Sequence, residues 1–565
     1  MQQIETEVLV IGAGPCGLML ANELGQRGIR AIVADREATV ATAPQANATQ
    51  ARTMEHYRRL GFAHEIRQLG LPSDYPTDVA YFTTYAGYEL GRHRMPPSGQ
   101  ADTFVRENAH IWNAAELPHR IPQSLIEQTL LRKAQDLDSI SVEFNCLAVS
   151  FTETPEGIET TLTHTTTGET RLIRSRYLFG ADGTQGMVRR QLGIRYNGGD
   201  AATRDFMGGR MLSVYVDLPT FYDEIPHDRA WMYWCFNSRR RGILAAVDGK
   251  QRFAFGTQLR AGENGDEMTH DDAARLVREA LGRDMPCHVV GTAQWVAGRA
   301  LVADSFQSGR VLIGGDAVHV FTPTGGMGYN TAIEDAVNAG WKLAAVLRGQ
   351  AAPELLESYE AERRPVALRN TRFALGFADS VGLYAPSPAI EDDSAAGELA
   401  RKRAGAYLAE HARNEFTIPG FTLGARYDGS PVICDESSLM PPDAPSVYAP
   451  SAKPGGRAPH FWLEDGTSLF DAFGFEWTVL SLGTETTGAE LVLQEAERRG
   501  LPVTHLDLTG NAVAADLYQA SYALIRPDQV VAWRGNELTA EMTSGLLDRV
   551  TGASAALEVA AEAVA

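Results

Sequence analysis

Short apolar runs that end in glycine or an acidic residue recur along the first two thirds of the chain. Residues 8–11 form the first run, which is typical of a strand buried on both faces. A glycine-rich turn, a helical stretch through Leu24 and a second apolar run ending at Asp35 follow it. This order predicts a strand–turn–helix–strand unit over residues 4–37, as at the start of a parallel α/β sheet.

A long helix is predicted near the middle of the chain. Apolar and small residues recur at three- and four-residue spacing from 333 to 347, and Gly349 closes the pattern. A short apolar strand, 311–313, precedes it, and the helix begins on a glycine turn. Exposed amides and the positive end of the helix dipole at that turn would hold an anion. Strand and helix are connected by a segment that contains Asp316, His319, Pro323, Gly325, Gly326, Gly328, Tyr329 and Asn330.

The pattern between residues 205 and 260 is different, because apolar and polar residues alternate there with a period of two. This alternation predicts an antiparallel sheet with one buried face. Residues 455–550 alternate strand and helix once more, after a proline-rich stretch typical of a linker. The predicted domains are 1–385, interrupted by sheet segments at about 75–110 and 190–295; a linker region, 386–454; a second α/β unit, 455–550; and a flexible alanine-rich tail, 551–565.

Composition narrows the class of protein. The 565 residues are 44% hydrophobic and 22% charged, as in ordinary globular proteins of two or more domains. A net charge of −20 argues against nucleic acid and anionic membrane surfaces as partners. We find no run long enough for a membrane span and no signal peptide, so we expect a cytoplasmic protein. Five scattered cysteines indicate neither a zinc site nor a disulfide framework, and no metal is expected.

The first turn carries a dinucleotide-binding pattern. Gly12, Gly14 and Gly17 permit a tight turn and a close approach of backbone to a pyrophosphate at the helix N-terminus. Asp35, eighteen residues after Gly17, is placed to bind a ribose hydroxyl. Arg36 then lies against an adenine or a phosphate, or is simply a solvated surface residue. In this strand–turn–helix–strand context the pattern predicts a bound dinucleotide.

A third glycine–acid element, at 177–183, ends in Asp182 and Gly183. Three such elements in this order resemble the class A flavoprotein monooxygenases of the para-hydroxybenzoate hydroxylase fold, over about residues 4–375. Residues 455–550 are similar to the thioredoxin-type domain of the phenol-hydroxylase-like members, without a Cys-x-x-Cys motif. The resemblance implies an α/β fold with a Rossmann-type FAD-binding domain, an interleaved antiparallel substrate sheet and a thioredoxin-like domain for packing or homo-oligomerisation.

The resemblance also implies which residues contact the cofactors. FAD contacts are expected from Gly12, Gly14, Gly17, Asp35, Arg36, Arg52, Gln123, Asp182, Arg189, Asp316, Gly325, Gly326, Gly328, Tyr329 and Asn330. Pro323 would lie beside the flavin carbon where oxygen adds. NADPH or NADH would bind transiently beside Asp182 and Arg189. A serine is usual where this chain has Gly186, which weakens the expected nicotinamide contact.

The position of the substrate base departs from the family's pattern. Phenol hydroxylases carry an aspartate base at the position that matches Asn47, and an amide cannot accept a proton at neutral pH. His319 is the replacement candidate because its ordinary pKa suits proton transfer near neutrality, and the alternative is a histidine packed under the loop. Tyr215 and Tyr233 are further candidates on the sheet. Together with Trp231 and Phe236 they would line an aromatic substrate pocket, although strand aromatics are also common core residues.

These features predict NAD(P)H- and O2-dependent hydroxylation of a phenolic or related ring through a flavin hydroperoxide. One alternative is a flavin halogenase or ring-modifying oxidoreductase on the same fold, although the chain lacks the Trp-x-Trp-x-Ile element of the halogenases. The other is a non-catalytic flavin-binding scaffold whose C-terminal domain does the work. The expected partners are a small aromatic substrate and O2.

Overall fold

A computed structural model describes residues 2–41, 46–200, 206–434, 436 and 443–554. The elements up to residue 191 are β1 (Gln2–Ile11), α1 (Pro15–Gly25), β2 (Ala31–Ala34), α2 (Ala51–Arg59), α3 (Ala63–Arg67), β3 (Val79–Phe82), β4 (Glu89–His93), α4 (Ala101–Glu107), α5 (Gln123–Gln135), β5 (Ile140–Glu143), β6 (Cys146–Thr154), β7 (Gly157–His164), β8 (Thr170–Gly180) and α6 (Met187–Gln191). The next are β9 (Tyr196–Asp200), β10 (Arg210–Asp217), α7 (Phe221–Glu224), β11 (Met232–Phe236), β12 (Arg241–Ala246), β13 (Arg252–Gln258), α8 (His270–Leu281), β14 (His288–Val296) and β15 (Arg299–Ala303).

The central segment continues with β16 (Gln307–Ser308), β17 (Val311–Ile313), β18 (His319–Val320), α9 (Met327–Leu347), α10 (Glu357–Gly382), α11 (Ala395–Phe416) and α12 (Pro419–Leu423). The C-terminal elements are α13 (Leu469–Ala472), β19 (Trp477–Ser481), α14 (Thr487–Arg498), β20 (Val503–Asp507), α15 (Ala512–Tyr518), β21 (Tyr522–Ile525), β22 (Val531–Gly535) and α16 (Ala540–Val550). Short 3-10 turns lie at Ser98–Gln100, Gly315–Ala317, Pro353–Leu356 and Pro388–Glu391.

The largest sheet brings the three glycine–acid motifs to one edge. Its strand order is β16-β17-β8-β1-β2-β5, and β1, β2, β5, β8 and β17 run parallel. Ile11 pairs with Gly180, which pairs in turn with Ile313. The carboxyl ends of β1, β8 and β17 therefore lie side by side, where ligands of open α/β sheets bind.

A second sheet, of order β14-β10-β13-β12-β11-β3-β4, is antiparallel apart from the β11–β3 pair. The period-two pattern between residues 205 and 260 predicted an antiparallel sheet, and this region forms strands β10 to β13. One face packs on a core of its own, which α8 and α11 complete. This sheet supplies a wall of the site described below.

The segment 386–454 is not simply a linker, which corrects the sequence prediction. It contains α11, a helix of 22 residues that starts with Ser394 as N-cap, whose hydroxyl accepts the Gly397 amide at 3.1 Å. The acidic residues before Ser394 lead directly into this cap. Gly405 packs so closely on β4 that a Cβ there would lie 2.1 Å from the Leu90 carbonyl oxygen. Pro441 and Pro442, on which the linker prediction also rested, lie outside the described residues.

The C-terminal unit has the predicted thioredoxin-type connectivity. Its sheet has the order β20-β19-β21-β22, with β19 and β20 parallel and the other pairs antiparallel. It packs directly against the first domain, where the rings of Trp341 and Trp477 meet edge to face at 5.7 Å. Most of the predicted alanine-rich tail, from residue 555, lies outside the described residues. None of the described helices has the length and apolar character needed to cross a bilayer.

Candidate active site

A cavity of about 1230 Å³ lies at the carboxyl edge of the large sheet and extends to the second sheet. All three glycine–acid motifs line it. Among the predicted site residues, the lining includes Gly12, Gly14, Asp35, Arg36, Asn47, Gln123, Asp182, Trp231, Asp316, Pro323, Gly325, Gly326, Gly328 and Tyr329. One continuous space is therefore bounded by both the nucleotide motif and the substrate sheet.

The three glycines of the first turn have different roles. Gly12 adopts a φ of +110°, and a Cβ there would lie 2.3 Å from the Ala181 carbonyl oxygen. A Cβ on Gly17 would lie 1.9 Å from the Gly12 carbonyl oxygen, so this glycine allows α1 to pack on the turn and does not line the cavity. Gly14 has nothing within 4 Å of its Cβ position and faces open cavity. The turn is thus shaped to let a ligand approach the backbone at Gly14.

The start of α9 forms the opposite end of the site. Gly325 and Gly326 have φ values of +61° and +67°, a left-handed turn that favours glycine. The turn is braced by Gln50, whose side-chain amide donates to the Gly325 carbonyl at 2.7 Å. The side-chain oxygen of Asn330 accepts the backbone amide of Gln50 at 2.8 Å, and its side-chain nitrogen donates to the Ala48 carbonyl at 2.9 Å. Asn330 does not line the cavity; it orients the turn from behind, instead of contacting the flavin ring as the sequence predicted.

These features fit FAD. No side chain caps α1 or α9, so the first-turn amides of both helices are available for an anion. The Asp35 carboxylate is aimed by the amides of Ala13 (2.6 Å) and Glu37 (2.8 Å), and it lines the cavity where a ribose would lie. A pyrophosphate would bind at Gly14 and the ribityl chain and ring at Asp316 and the 325–328 turn.

Asp182 has a buried oxygen, Oδ1, without a hydrogen-bond partner among the described residues, whereas its Oδ2 accepts the Val188 amide at 2.9 Å. Burial raises the pKa of Asp182, and the backbone amides offset this only in part. A Cβ on Gly186 would lie 2.0 Å from Oδ1. In this structure the Asp182 carboxylate therefore lies against the backbone of Gly186, where a larger residue would displace it.

Comparison with known proteins decides the family. Residues 5–374 match the FAD binding domain family, and residues 451–554 match the aromatic-ring hydroxylase C-terminal domain family. The chain belongs to the FAD-dependent aromatic-ring hydroxylases. The predicted family, fold class, enzyme class and FAD cofactor are thereby confirmed.

Relatives of the hydroxylase align along nearly its whole length. It is 28% identical to phenol 2-monooxygenase of Pseudomonas sp. (strain EST1001), covering 97% of this chain and 93% of the relative. It is 30% identical to a putative polyketide hydroxylase of Streptomyces halstedii, covering 96% of each chain. The solved structure of the rebeccamycin biosynthetic enzyme RebC with reduced flavin has a TM-score of 0.86 and 32% identity, covering 98% of this chain and 100% of that one.

Two arginines expected at the cofactors lie elsewhere. Arg52 points away from the cavity and donates to Glu55 at 3.0 Å and to the side chain of Gln529 at 2.8 Å, so it ties the hydroxylase's first domain to its C-terminal unit. Arg189 is buried and donates to the carbonyls of Ile194 (2.8 Å) and Thr184 (3.1 Å). Its neighbour Arg190 lines the cavity instead. The sequence pattern could not tell which of the two adjacent arginines faces the cavity.

His319 is a buried structural residue, which contradicts its prediction as the substrate base. Its Nε2 lies 2.6 Å from Asp335 Oδ2, neither side chain is exposed, and His319 does not line the cavity. Asp335 also accepts the Gly315 amide at 3.1 Å and the Arg363 guanidinium at 2.8 Å. The histidine therefore supports the loop that presents Asp316, which is the alternative that the sequence left open.

Three of the four predicted substrate-sheet aromatics also fail to reach the cavity. The Tyr233 hydroxyl accepts the Ala230 amide at 2.8 Å, and its ring stacks on Phe82 on the far face of the sheet. Phe236 packs on Tyr384, and Tyr215 lies on β10, three strands away from β11. Since side chains alternate across a strand, the two neighbours of Tyr233 point inward, whereas Phe236 shares their face and stacks on Trp234. Met232 and Trp234 line the cavity together with Trp231.

The end of the cavity next to the second sheet also includes two charged residues that were not predicted from the sequence. Arg120 precedes α5 and lines the cavity beneath Trp231, and Glu415 lies at the end of α11. Apolar residues surround them: Met207, Met232, Trp234, Ile243, Phe321 and Phe416. Neither charged residue belongs to a motif of the sequence, and only the folded arrangement brings them to the site.

Proposed function

We propose that this hydroxylase acts on a hydroxylated aromatic ring bound as an anion against Arg120, with NADPH or NADH as reductant. When bound, FAD would take electrons from the nicotinamide and activate O2. The residues named above would hold FAD, and the aromatic and methionine side chains around Trp231 would hold the ring and exclude water. A phenolate is a more electron-rich target for oxygen transfer than a phenol.

The buried, unpaired charge of Arg120 is the main support for this proposal. The side chain is 4% exposed, and its Cζ lies 4.1 Å from the centroid of the Trp231 ring. Its hydrogen bond to the Met95 sulfur, at 3.5 Å, is weak. Among the described residues no carboxylate lies within ion-pair distance of it. Burial lowers the pKa of Arg120 to about 10, so the group remains a cation at neutral pH.

An unpaired buried cation is costly unless a ligand supplies the counter-charge. A phenolate in the cavity supplies it, and the guanidinium would in turn lower the pKa of the bound phenol. Asn47, in the position of the family's aspartate base, also lines the cavity and adds no negative charge to it. Arg120 thus selects the ionised form of the substrate.

Replacement of Arg120 by methionine tests the proposal. The variant should lose roughly 10- to 100-fold in affinity for a phenolate, because a charge-assisted hydrogen bond is lost. It should nevertheless keep FAD and melt at a higher temperature than the wild type, because the unpaired charge is gone. Spectral titration of the flavin with 4-nitrophenol and thermal denaturation measure both effects. Arg94→Met, at a side chain that is 74% exposed, is the control.

An Arg120→Met enzyme with unchanged phenolate affinity would contradict the anion site. A wild-type enzyme whose NAD(P)H oxidation responds to no phenol or hydroxypyridine would contradict the hydroxylation of hydroxylated rings. Self-association and a cytoplasmic location stay predictions, to be measured by light scattering and cell fractionation.

A further inference from the structure

Glu415 is a buried carboxylate at the active-site cavity that comes from α11. Its Oε1 accepts the amide of Gly325 at 3.0 Å, in the turn that begins α9. Its Oε2 lies 2.8 Å from Nε2 of His411, one helical turn earlier, and the two side chains are 3% and 1% exposed. The contact is close but not aligned as a hydrogen bond, and neither atom has another partner among the described residues. Acid–base pairs are often loosely aligned before the substrate binds.

A line of polar groups continues from His411 to the surface. Nδ1 of His411 lies 3.0 Å from the hydroxyl of Ser380, and that hydroxyl lies 3.3 Å from the hydroxyl of Tyr407. Tyr407 is 41% exposed. His411, Ser380 and Tyr407 line a second cavity of about 300 Å³ on the outer side of α11. The groups thus connect the active-site cavity with solvent across one helix.

We propose that Glu415 removes the phenolic proton of the substrate and that His411, Ser380 and Tyr407 carry this proton to solvent. The O–H bond of the substrate breaks and an O–H bond forms on Glu415. His411 then accepts the proton at Nε2 and releases one from Nδ1 to Ser380, which restores the Glu415 carboxylate. The phenolate left behind faces Arg120, so this inference rests on the proposed function.

The surroundings suit this role. Tyr81, whose buried hydroxyl has no hydrogen-bond partner among the described residues, lies against His411, and Arg120 lines the same cavity as Glu415. Arg372 and Glu410 lie at the outer cavity. Asn47 cannot act as a base. His319 is buried and paired with Asp335 away from the cavity, so it cannot reach the substrate. Of these groups, Glu415 is the one that combines proton-accepting chemistry with a place on the cavity wall.

Arg120 and the relay have separable effects. Arg120 would set the equilibrium between bound phenol and bound phenolate, whereas the relay would set how fast the proton leaves. A purely structural Glu415 would only brace Gly325. Glu415→Gln distinguishes these roles, because the amide oxygen can still accept the Gly325 amide but cannot take a proton.

The test uses the FAD-loaded enzyme and 4-nitrophenol, whose phenolate absorbs visible light. Mixed below the pH at which the free phenol ionises, wild-type enzyme should form bound phenolate rapidly. Glu415→Gln and His411→Ala should slow this step by roughly 10²- to 10⁴-fold. The loss should vanish at high pH, where the phenol arrives ionised. Imidazole, entering from the outer cavity, should restore His411→Ala and not Glu415→Gln.

Glu410→Gln, an exposed acid at the outer cavity, is the matched control and should behave as wild type. Tyr407→Phe should slow the step less than His411→Ala, because water can reach Ser380 once the outer hydroxyl is gone. Wild-type rates in Glu415→Gln, or a loss equal at every pH, would overturn the relay. A wild-type enzyme that binds no phenolate would overturn the proposed function, and the relay with it.

Discussion

Nε2 of His319 lies 2.6 Å from Oδ2 of Asp335, and this buried pair holds the loop that carries Asp316. The same carboxylate also accepts the Arg363 guanidinium. Burial alone would raise the pKa of Asp335, but His319 and Arg363 outweigh burial and lower it. Because the folded-state pKa is depressed, this stabilisation is present above the ordinary aspartate pKa of about 3.9 and is lost as pH falls below it.

His319→Asn should therefore weaken the fold around the flavin loop and not the proton transfer. Leaving a buried polar group without its partner costs about 1–3 kcal/mol, so we expect a lower melting temperature and faster loss of FAD on dilution. The pH profile of hydroxylation should keep its shape in the fraction that retains FAD. A profile that loses its acidic limb in His319→Asn, with full FAD content, would restore His319 as the base.

Gly14 offers a direct test of the FAD site. Its Cβ position is open, so Gly14→Ala should fold and bind FAD, whereas Gly14→Trp should fold but fill the place of the pyrophosphate. Purified wild-type protein should be yellow and Gly14→Trp colourless, with similar circular dichroism. Gly12→Ala, whose Cβ would meet the Ala181 carbonyl at 2.3 Å, should instead lose solubility. A yellow Gly14→Trp protein would contradict this placement of the cofactor.

Arg189 and Arg190 are adjacent, but we expect them to have different roles: Arg190 contacts the nicotinamide, and Arg189 holds the local structure. Arg190 lines the cavity beside Asp182, whereas Arg189 is committed to two carbonyls. Arg190→Ala should slow flavin reduction by NADPH or NADH by roughly tenfold or more at subsaturating nicotinamide, through loss of one charge-assisted contact. Arg189→Ala should lower the melting temperature and leave the reduction rate of the surviving enzyme unchanged. Stopped-flow reduction measured for both variants decides between them; the reverse pattern would favour Arg189.

The sequence predicted the parts of the site that local pattern determines. Strand ends and glycine turns are short-range features, so the first fingerprint, Asp182 and the 325–328 turn were assigned to the right elements. Which side of a strand or helix faces the ligand depends on packing partners far along the chain. That is why Met232 and Trp234, and not Tyr233, line the cavity, and why Arg190 lines it whereas Arg189 does not.

Arg120 and Glu415 could not be predicted from the sequence at all. Each is a single charged residue next to an ordinary helix end, and nothing local distinguishes it from a solvated surface group. Their burial follows from the packing of the second sheet and of α11, a helix in a segment that composition alone suggested to be a linker. Neither contact is visible before the fold is assembled.

Glu55 carries the last prediction, because it joins the first domain to the C-terminal unit. Its carboxylate accepts Arg457 at 2.5 and 2.8 Å and Arg52 at 3.0 Å. Burial opposes the charge, but the two arginines prevail and lower the pKa of Glu55 to about 2. The stabilisation is complete above the ordinary glutamate pKa of about 4.3 and is lost as pH falls toward 2.

Glu55→Gln would leave Arg52 and Arg457 buried without their counter-charge, at a cost of about 3–5 kcal/mol. Since a protein of several domains need not unfold in one step, the loss should appear as a separate, earlier transition in calorimetry and as faster proteolysis between the domains. Glu159→Gln, which removes a partly exposed partner of Arg174, should change neither. A Glu55→Gln enzyme with a single unshifted transition would show that the domain contact is held by its apolar surface and not by this carboxylate.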